Sequence, residues 1–95
     1  MVTPEQAREL AENELRQRYG ESAESLAIDD RATREEAFGW VFFYETKKYL
    51  NDGDPAGRLV GNAPIVVDRD GELHLTGTGE PLEYYLEQIR AKLGL

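Results

Sequence analysis

The chain has 95 residues, 40% of them hydrophobic, with nineteen acidic against eleven basic side chains, a formal net charge of −8 and no cysteine. That length holds one core and one domain, residues 1–95. The charge sets the surface against nucleic acid and anionic membranes, and the absent thiols exclude disulfides, cysteine nucleophiles and thiolate-held metals.

Apolar runs fall far short of the roughly 20 residues of a membrane span. Met1-Val2-Thr3-Pro4-Glu5 carries neither a basic nor an apolar leader segment, so cytoplasmic residence is expected. The acidity also favours association with a basic protein, through attraction that salt screens over about 8 to 10 Å. Acidity for solubility alone is the plainer reading of the same numbers.

In chain order, Thr3 as N-cap, Pro4 at the first helical position and Gln6 closing a capping box announce a first helix. Ala7, Leu10, Ala11, Leu15 and Tyr19 share its apolar face, and charged residues line the other. Pairs four apart (Arg8 with Glu12, Glu12 with Arg16, Glu14 with Arg18) support the exposed face. Gly20 supplies the stop, and Glu21 to Ser25 is a polar connection.

Leu26-Ala27-Ile28-Asp29-Asp30 reads as a strand with Leu26 and Ile28 inward. The polar run Arg31 to Glu36 is either an extended strand end or, by preference, a hairpin loop. Phe38-Gly39-Trp40-Val41-Phe42-Phe43-Tyr44 holds all three phenylalanines and the single tryptophan. Its apolar residues run without alternation, which predicts a strand covered on both faces, continuing to Lys47 or Lys48. Tyr49-Leu50 folds back as an apolar anchor, and Asn51 to Ala63, rich in glycine, is the one long loop.

Pro64 to Asp68 and Glu72 to Thr76 flank Arg69-Asp70-Gly71 as a hairpin. After Gly77-Thr78-Gly79-Glu80, Pro81 opens a second helix whose inward stripe is Leu82, Tyr85, Leu86, Ile89 and Leu93. The order predicts an α+β fold: a four-stranded antiparallel sheet from two hairpins, with an N-terminal and a C-terminal helix packed on it. Either the sheet curls around the first helix in a cystatin-like manner, or helices cover parts of both faces.

The sequence offers no catalytic, cofactor or metal residue. His74 is the lone histidine, set between Leu73 and Leu75, and is expected to face solvent. Metalloprotease pairs, Ser-His-Asp triads and Cys-His dyads are excluded by composition or spacing. Asp52-Gly53-Asp54 with Gly57 starts like a calcium loop, but Ala56 and Ala63 stand at positions five and twelve, where oxygen ligands are required. Gly77-Thr78-Gly79 lacks the rest of any phosphate-binding motif and reads as a turn with a helix cap. Asp29-Asp30 and Glu35-Glu36 point to opposite faces of a strand and read as surface charge.

A protein interface fits the residues better. Asp52, Asp54, Tyr49, Asn62, Tyr84 and Trp40 combine aromatic area with carboxylates that steer a basic partner. The competing reading makes Trp40, Phe42 and Tyr44 plain core. A small-molecule pocket would need Trp40, Tyr44 and a carboxylate such as Glu45 together.

Phe38 to Tyr44, followed by Lys47-Lys48-Tyr49-Leu50, Gly61-Asn62-Ala63-Pro64-Ile65-Val66-Val67-Asp68, Gly77-Thr78-Gly79 and Pro81-Leu82-Glu83-Tyr84-Tyr85, resembles the immunity protein 35 family, also described as a YrhB-type domain. The resemblance spans nearly the whole chain. It implies a small, cytosolic, non-enzymatic bacterial protein that binds and neutralises a cognate polymorphic toxin, and the net charge of −8 favours a basic one. A related member described as heat-stable and chaperone-like implies a second class, suppression of client aggregation. Trp40, Gly61, Asn62, Pro64 and Tyr85 stand where the family motif stands; the family carries no catalytic residue to transfer. Oligomeric state stays open.

Overall fold

The computed structural model describes residues 1–59 and 61–95; Val60, inside the expected long loop, lies outside the described residues. The first helix, α1 (Pro4–Tyr19), begins with the expected capping box: Thr3 accepts from the Gln6 amide, and the Gln6 side chain accepts from the Thr3 amide. Its buried face is Ala7, Ala11 and Leu15. Two alanines on that face let the helix axis approach the sheet closely, and Leu15 then fills the space at its far end.

Three strands follow: β1 (Leu26–Ile28), β2 (Arg34–Glu36) and β3 (Gly39–Phe42). The aromatic run is not one strand. It breaks at Phe43 and resumes as β4 (Tyr44–Thr46), and each half takes a different partner, β3 pairing with β2 and β4 with β1. The register explains the break. Ile28 stands opposite Tyr44 and Arg34 opposite Val41, so residues 29–33 on one side face only 42 and 43 on the other. The surplus is thrown out as a turn in which Asp29 accepts from the Arg31 amide at 3.2 Å and its carbonyl accepts from the Ala32 amide at 3.0 Å.

The polar segment preferred as a loop is thus partly strand, because β2 draws its structure from pairing with β3 rather than from its own composition. The expected strand end at Lys47 and Lys48 is also corrected. Thr46 instead caps a short helix, α2 (Lys47–Asp52), by accepting from the Tyr49 amide, and Gly53 closes it at φ 67°. A 3-10 turn at Pro55–Gly57 shortens the expected loop further.

The chain ends in β5 (Ile65–Asp68), β6 (Leu73–His74) and α3 (Leu82–Lys92). The four-stranded sheet is antiparallel in the order β2-β3-β5-β6, and β1-β4 forms a separate two-stranded piece. Gly39 is required where β3 meets β5, since a Cβ there would lie 2.1 Å from the Val67 carbonyl oxygen, at a φ of 150°.

Strand alternation distributes the core to both faces. Trp40, Phe42, Ile65 and Val67 face α1, together with Leu26, Ile28 and Tyr44. Val41 and Val66 face the other way and pack with Phe38, Leu86 and Ile89, so α3 covers the face opposite α1. Of the two arrangements open from sequence, helices on both faces is the one observed. α3 is also tied at its rim by ions: Glu36, on β2, accepts from Arg34 at 3.1 Å and from Arg90 at 2.8 Å, and Arg34 reaches Glu83 at 2.9 Å. Among the described residues no helix is long and apolar enough to cross a membrane.

Candidate functional site

The segment after β4 presents the strongest candidate surface, because little of it is held by burial: Leu59 packs on the core, and the rest of its described residues lie at the surface or half-buried. Neither α2 nor the turn at 55–57 contains a fully buried residue. Polar ties hold it instead. The Thr46 hydroxyl donates to the Gly57 carbonyl, the Glu45 carboxylate accepts from the Leu59 amide at 2.8 Å, and the Asn62 side chain donates to the Tyr44 carbonyl at 3.2 Å. These bonds fix the segment on β4 while leaving its outer side chains in solvent.

Four of the residues singled out from sequence belong to this segment. Asp52 is exposed at the C-terminal end of α2. Asp54 caps the turn, accepting from the Ala56 amide at 3.0 Å, and pairs with Lys48 at 3.1 Å. The Tyr49 ring lies under the Arg58 guanidinium at 5.4 Å. Asn62 is spent on its backbone tie. Beside them runs a cleft of about 460 Å³, lined by Ile28, Asp29, Asp30, Arg31, Tyr49, Leu50 and Gly53. Asp29 and Asp30, read from sequence as scattered surface charge, therefore border the same cleft as Tyr49; the turn forced by the strand register puts them there.

Asp30 also lines a shallower depression of about 240 Å³ with Pro4, Glu5, Arg8, Thr33, Trp40 and Phe42, and Arg8 grips its two carboxylate oxygens at 2.8 and 3.1 Å. Trp40 forms the floor there. It is 3% exposed, with the Arg69 guanidinium 4.6 Å above its ring, so it supports this surface from beneath. Arg69, which sequence reading passed over, also donates to the Glu36 carbonyl at 2.6 Å and to Glu35 at 3.2 Å, locking the β2–β3 turn over the tryptophan.

Tyr84 stands apart. It is 49% exposed on α3, edge-on to Tyr85 at 5.3 Å, and α3 lies across the sheet from α1. Trp40, Tyr44 and Glu45 do not converge on a pocket: the Tyr44 hydroxyl meets that of Tyr19 at 2.9 Å, and Glu45 is committed to Leu59.

His74 does not face solvent as expected. Its side chain is 8% exposed and Nε2 lies 2.8 Å from Asp68 Oδ2, while Asp68 Oδ1 accepts from the Asp70 and Glu72 amides at 2.8 and 3.0 Å. Burial works to raise the Asp68 pKa, but the His74 bond and the two amides outweigh it and hold the carboxyl below its usual value. The pair borders a groove lined by Leu73, His74, Leu75, Tyr85, Gln88, Ile89 and Lys92, a set with no serine, threonine or cysteine to act as nucleophile. Its structural use is to pin the β5–β6 turn.

A family model for immunity protein 35 matches residues 5–88. The chain belongs to the immunity protein 35 family. Among curated relatives, the chain is similar to the uncharacterized protein YrhB of Escherichia coli (strain K12), 49% identical over 55 residues, 57% of this chain and 58% of that protein. The match thus spans little more than half of that relative's length. No solved structure matches the chain.

Proposed function

We propose that this immunity protein binds a cognate bacterial polymorphic toxin in the cytoplasm of the producing cell and neutralises it by covering its active or docking surface. The α2 segment and its cleft are the contact: Tyr49 and Leu50 supply apolar area, Asp29, Asp52 and Asp54 supply charge for a basic partner, and Asn62 holds the platform in shape. One observation carries this reading of the site: the segment is fixed to β4 chiefly by side-chain-to-backbone bonds, leaving an acidic, aromatic-edged cleft free to be covered. Carboxylates of this kind act mainly on the rate of encounter, so charge reversal should slow association more than it speeds dissociation.

The test is a stopped-flow titration against a candidate toxin domain, sought first among the genes beside this one. Asp52→Lys combined with Asp54→Lys should reduce the association rate at low salt by about tenfold. An unchanged rate removes the segment from the site, and absence of binding removes the toxin reading itself. A chaperone-like role would call for a sticky, exposed side of the aromatic strand. Phe38, Trp40, Val41, Phe42 and Tyr44 are all buried, which leaves such a surface without its residues.

A further inference from the structure

The two edges of the four-stranded sheet differ in kind. β2 is charged at every position, Arg34, Glu35 and Glu36, which is how natural sheets repel an added strand. The opposite edge, β6 and the residues after it, reads Leu73-His74-Leu75-Thr76-Gly77-Thr78-Gly79, with no lysine, arginine, aspartate, glutamate or proline. It is the natural place for a strand to add.

Hydrogen-bond alternation shows which backbone groups are free there. The Asp68 amide donates to the Glu72 carbonyl, and His74 stands opposite Val66 in the same register, so Glu72 and His74 turn their backbone groups toward β5. Leu73, between them, turns its N–H and C=O outward. Leu75 lies one residue beyond the paired strand, and the same alternation extended to it would turn its groups outward too. Neither leucine is covered: Leu73 is 38% and Leu75 82% exposed, because α1 packs over β3 and β5 and stops short of β6. Thr76 Oγ1, the next residue along, is the one buried side-chain polar atom without a hydrogen-bond partner among the described residues.

We propose that two copies of this chain join through β6, antiparallel about a two-fold axis at His74. In that register Leu73 meets Leu75 of the second copy and Leu75 meets its Leu73. Both are the outward-bonding positions, so free donors and acceptors meet one another and four leucine side chains gather on one face. Glu72 falls opposite Thr76, so no like charges oppose.

A second copy is favoured over an unrelated strand by this self-complementary register and by charge. Two molecules of net charge −8 can approach closely only where negative charge is absent, and the groove beside β6 carries one cation, Lys92, and no carboxylate. So short an edge, even with its leucines, buries less than the roughly 1,200 Å² of a stable interface. The dimer is therefore weak and concentration-dependent. It does not depend on the toxin reading.

Sedimentation equilibrium from micromolar to millimolar protein tests it without any partner. The wild-type protein should move from monomer to dimer across that range. Leu75→Lys, at a residue mostly in solvent, should raise the dissociation constant about tenfold or more, with an unchanged circular dichroism spectrum and melting temperature. Glu35→Lys on the opposite edge should leave it unchanged. A wild-type protein that stays monomeric at millimolar concentration overturns the proposal, as does a dimer that Leu75→Lys leaves intact. Monomeric protein whose toxin binding is weakened by Leu75→Lys would assign the edge to the partner's strand and overturn it equally.

Discussion

Between Phe38 and Tyr44 every residue but Phe43 is buried, pressed from one face by α1 and from the other by α3. Between Lys47 and Gly57 no side chain is fully buried, and the backbone is held by side-chain bonds from Thr46 and Asp54, with Glu45 and Asn62 fixing the residues that follow. The first region is made by packing, and any change of volume in it is a change of stability. The second is made by polar ties whose outer side chains are free to vary, which suits a surface that must match one partner. Stability and binding should therefore respond to different substitutions.

The largest expected effect is in the packed region. Gly39→Ala drives a Cβ against the Val67 carbonyl and the Asp68 backbone, which cannot yield as a side chain would. It should cost about 4 kcal/mol or more and leave little folded protein in urea titrations. Trp40→Ala should cost about 3 to 5 kcal/mol, by loss of apolar contact and the cavity left behind. If either variant keeps wild-type stability, the core assigned to this strand is wrong.

Next comes the Asp68 pair. Asp68→Ala strands the Asp70 and Glu72 amides and the His74 ring, at about 2 to 3 kcal/mol. Acid gives the same result reversibly. The folded Asp68 pKa lies below its unfolded value, so its contribution is present above the ordinary carboxylate range and is lost as pH falls through the folded pKa. Glu36 behaves alike: burial raises its pKa, while Arg90 and Arg34 lower it further and prevail. Urea midpoints should fall as pH drops below about 4. Asp68→Asn, which keeps the acceptor for the two amides, should flatten part of that fall.

Smaller effects fall on the polar-tied segment. Glu45→Ala leaves the Leu59 amide without its acceptor and should cost about 1 kcal/mol, with faster amide exchange confined to 53–59 and none in β3 or β5. Exchange that rises everywhere would merge the two regions into one cooperative unit. Asp52→Lys should change stability by less than about 0.5 kcal/mol and act on association alone.

Local signals were readable where the physics is local. Thr3-Pro4-Gln6 capped α1 as expected, and Asp70-Gly71 turned β5 into β6. α2 was missed because six residues are too few to show a stripe, although Thr46 and Gly53 bracket it as N-cap and left-handed stop. β2 could not be seen, since Arg34-Glu35-Glu36 has no strand propensity and owes its structure to β3. His74 was misplaced for a similar reason. Alternation in Leu73-His74-Leu75 puts leucine inside only if something covers that face, and α1 does not reach it, while buried Asp68 draws the imidazole in. Of the proposed site, Asp52 and Asp54 stand out in the sequence as carboxylates of a glycine-rich loop and Tyr49 as an aromatic at the strand exit. Their neighbours Asp29 and Asp30 arrive only through the three-residue surplus in the β1–β4 and β2–β3 registers, where five residues oppose two.

The most direct measurement is the association of the purified protein with a candidate polymorphic-toxin domain, followed by stopped flow across a series of salt concentrations. The account predicts a one-to-one complex whose association rate falls with salt and falls again in Asp52→Lys, with the variant's melting temperature unchanged. Binding that is indifferent to both salt and Asp52, or no binding at all, would contradict it.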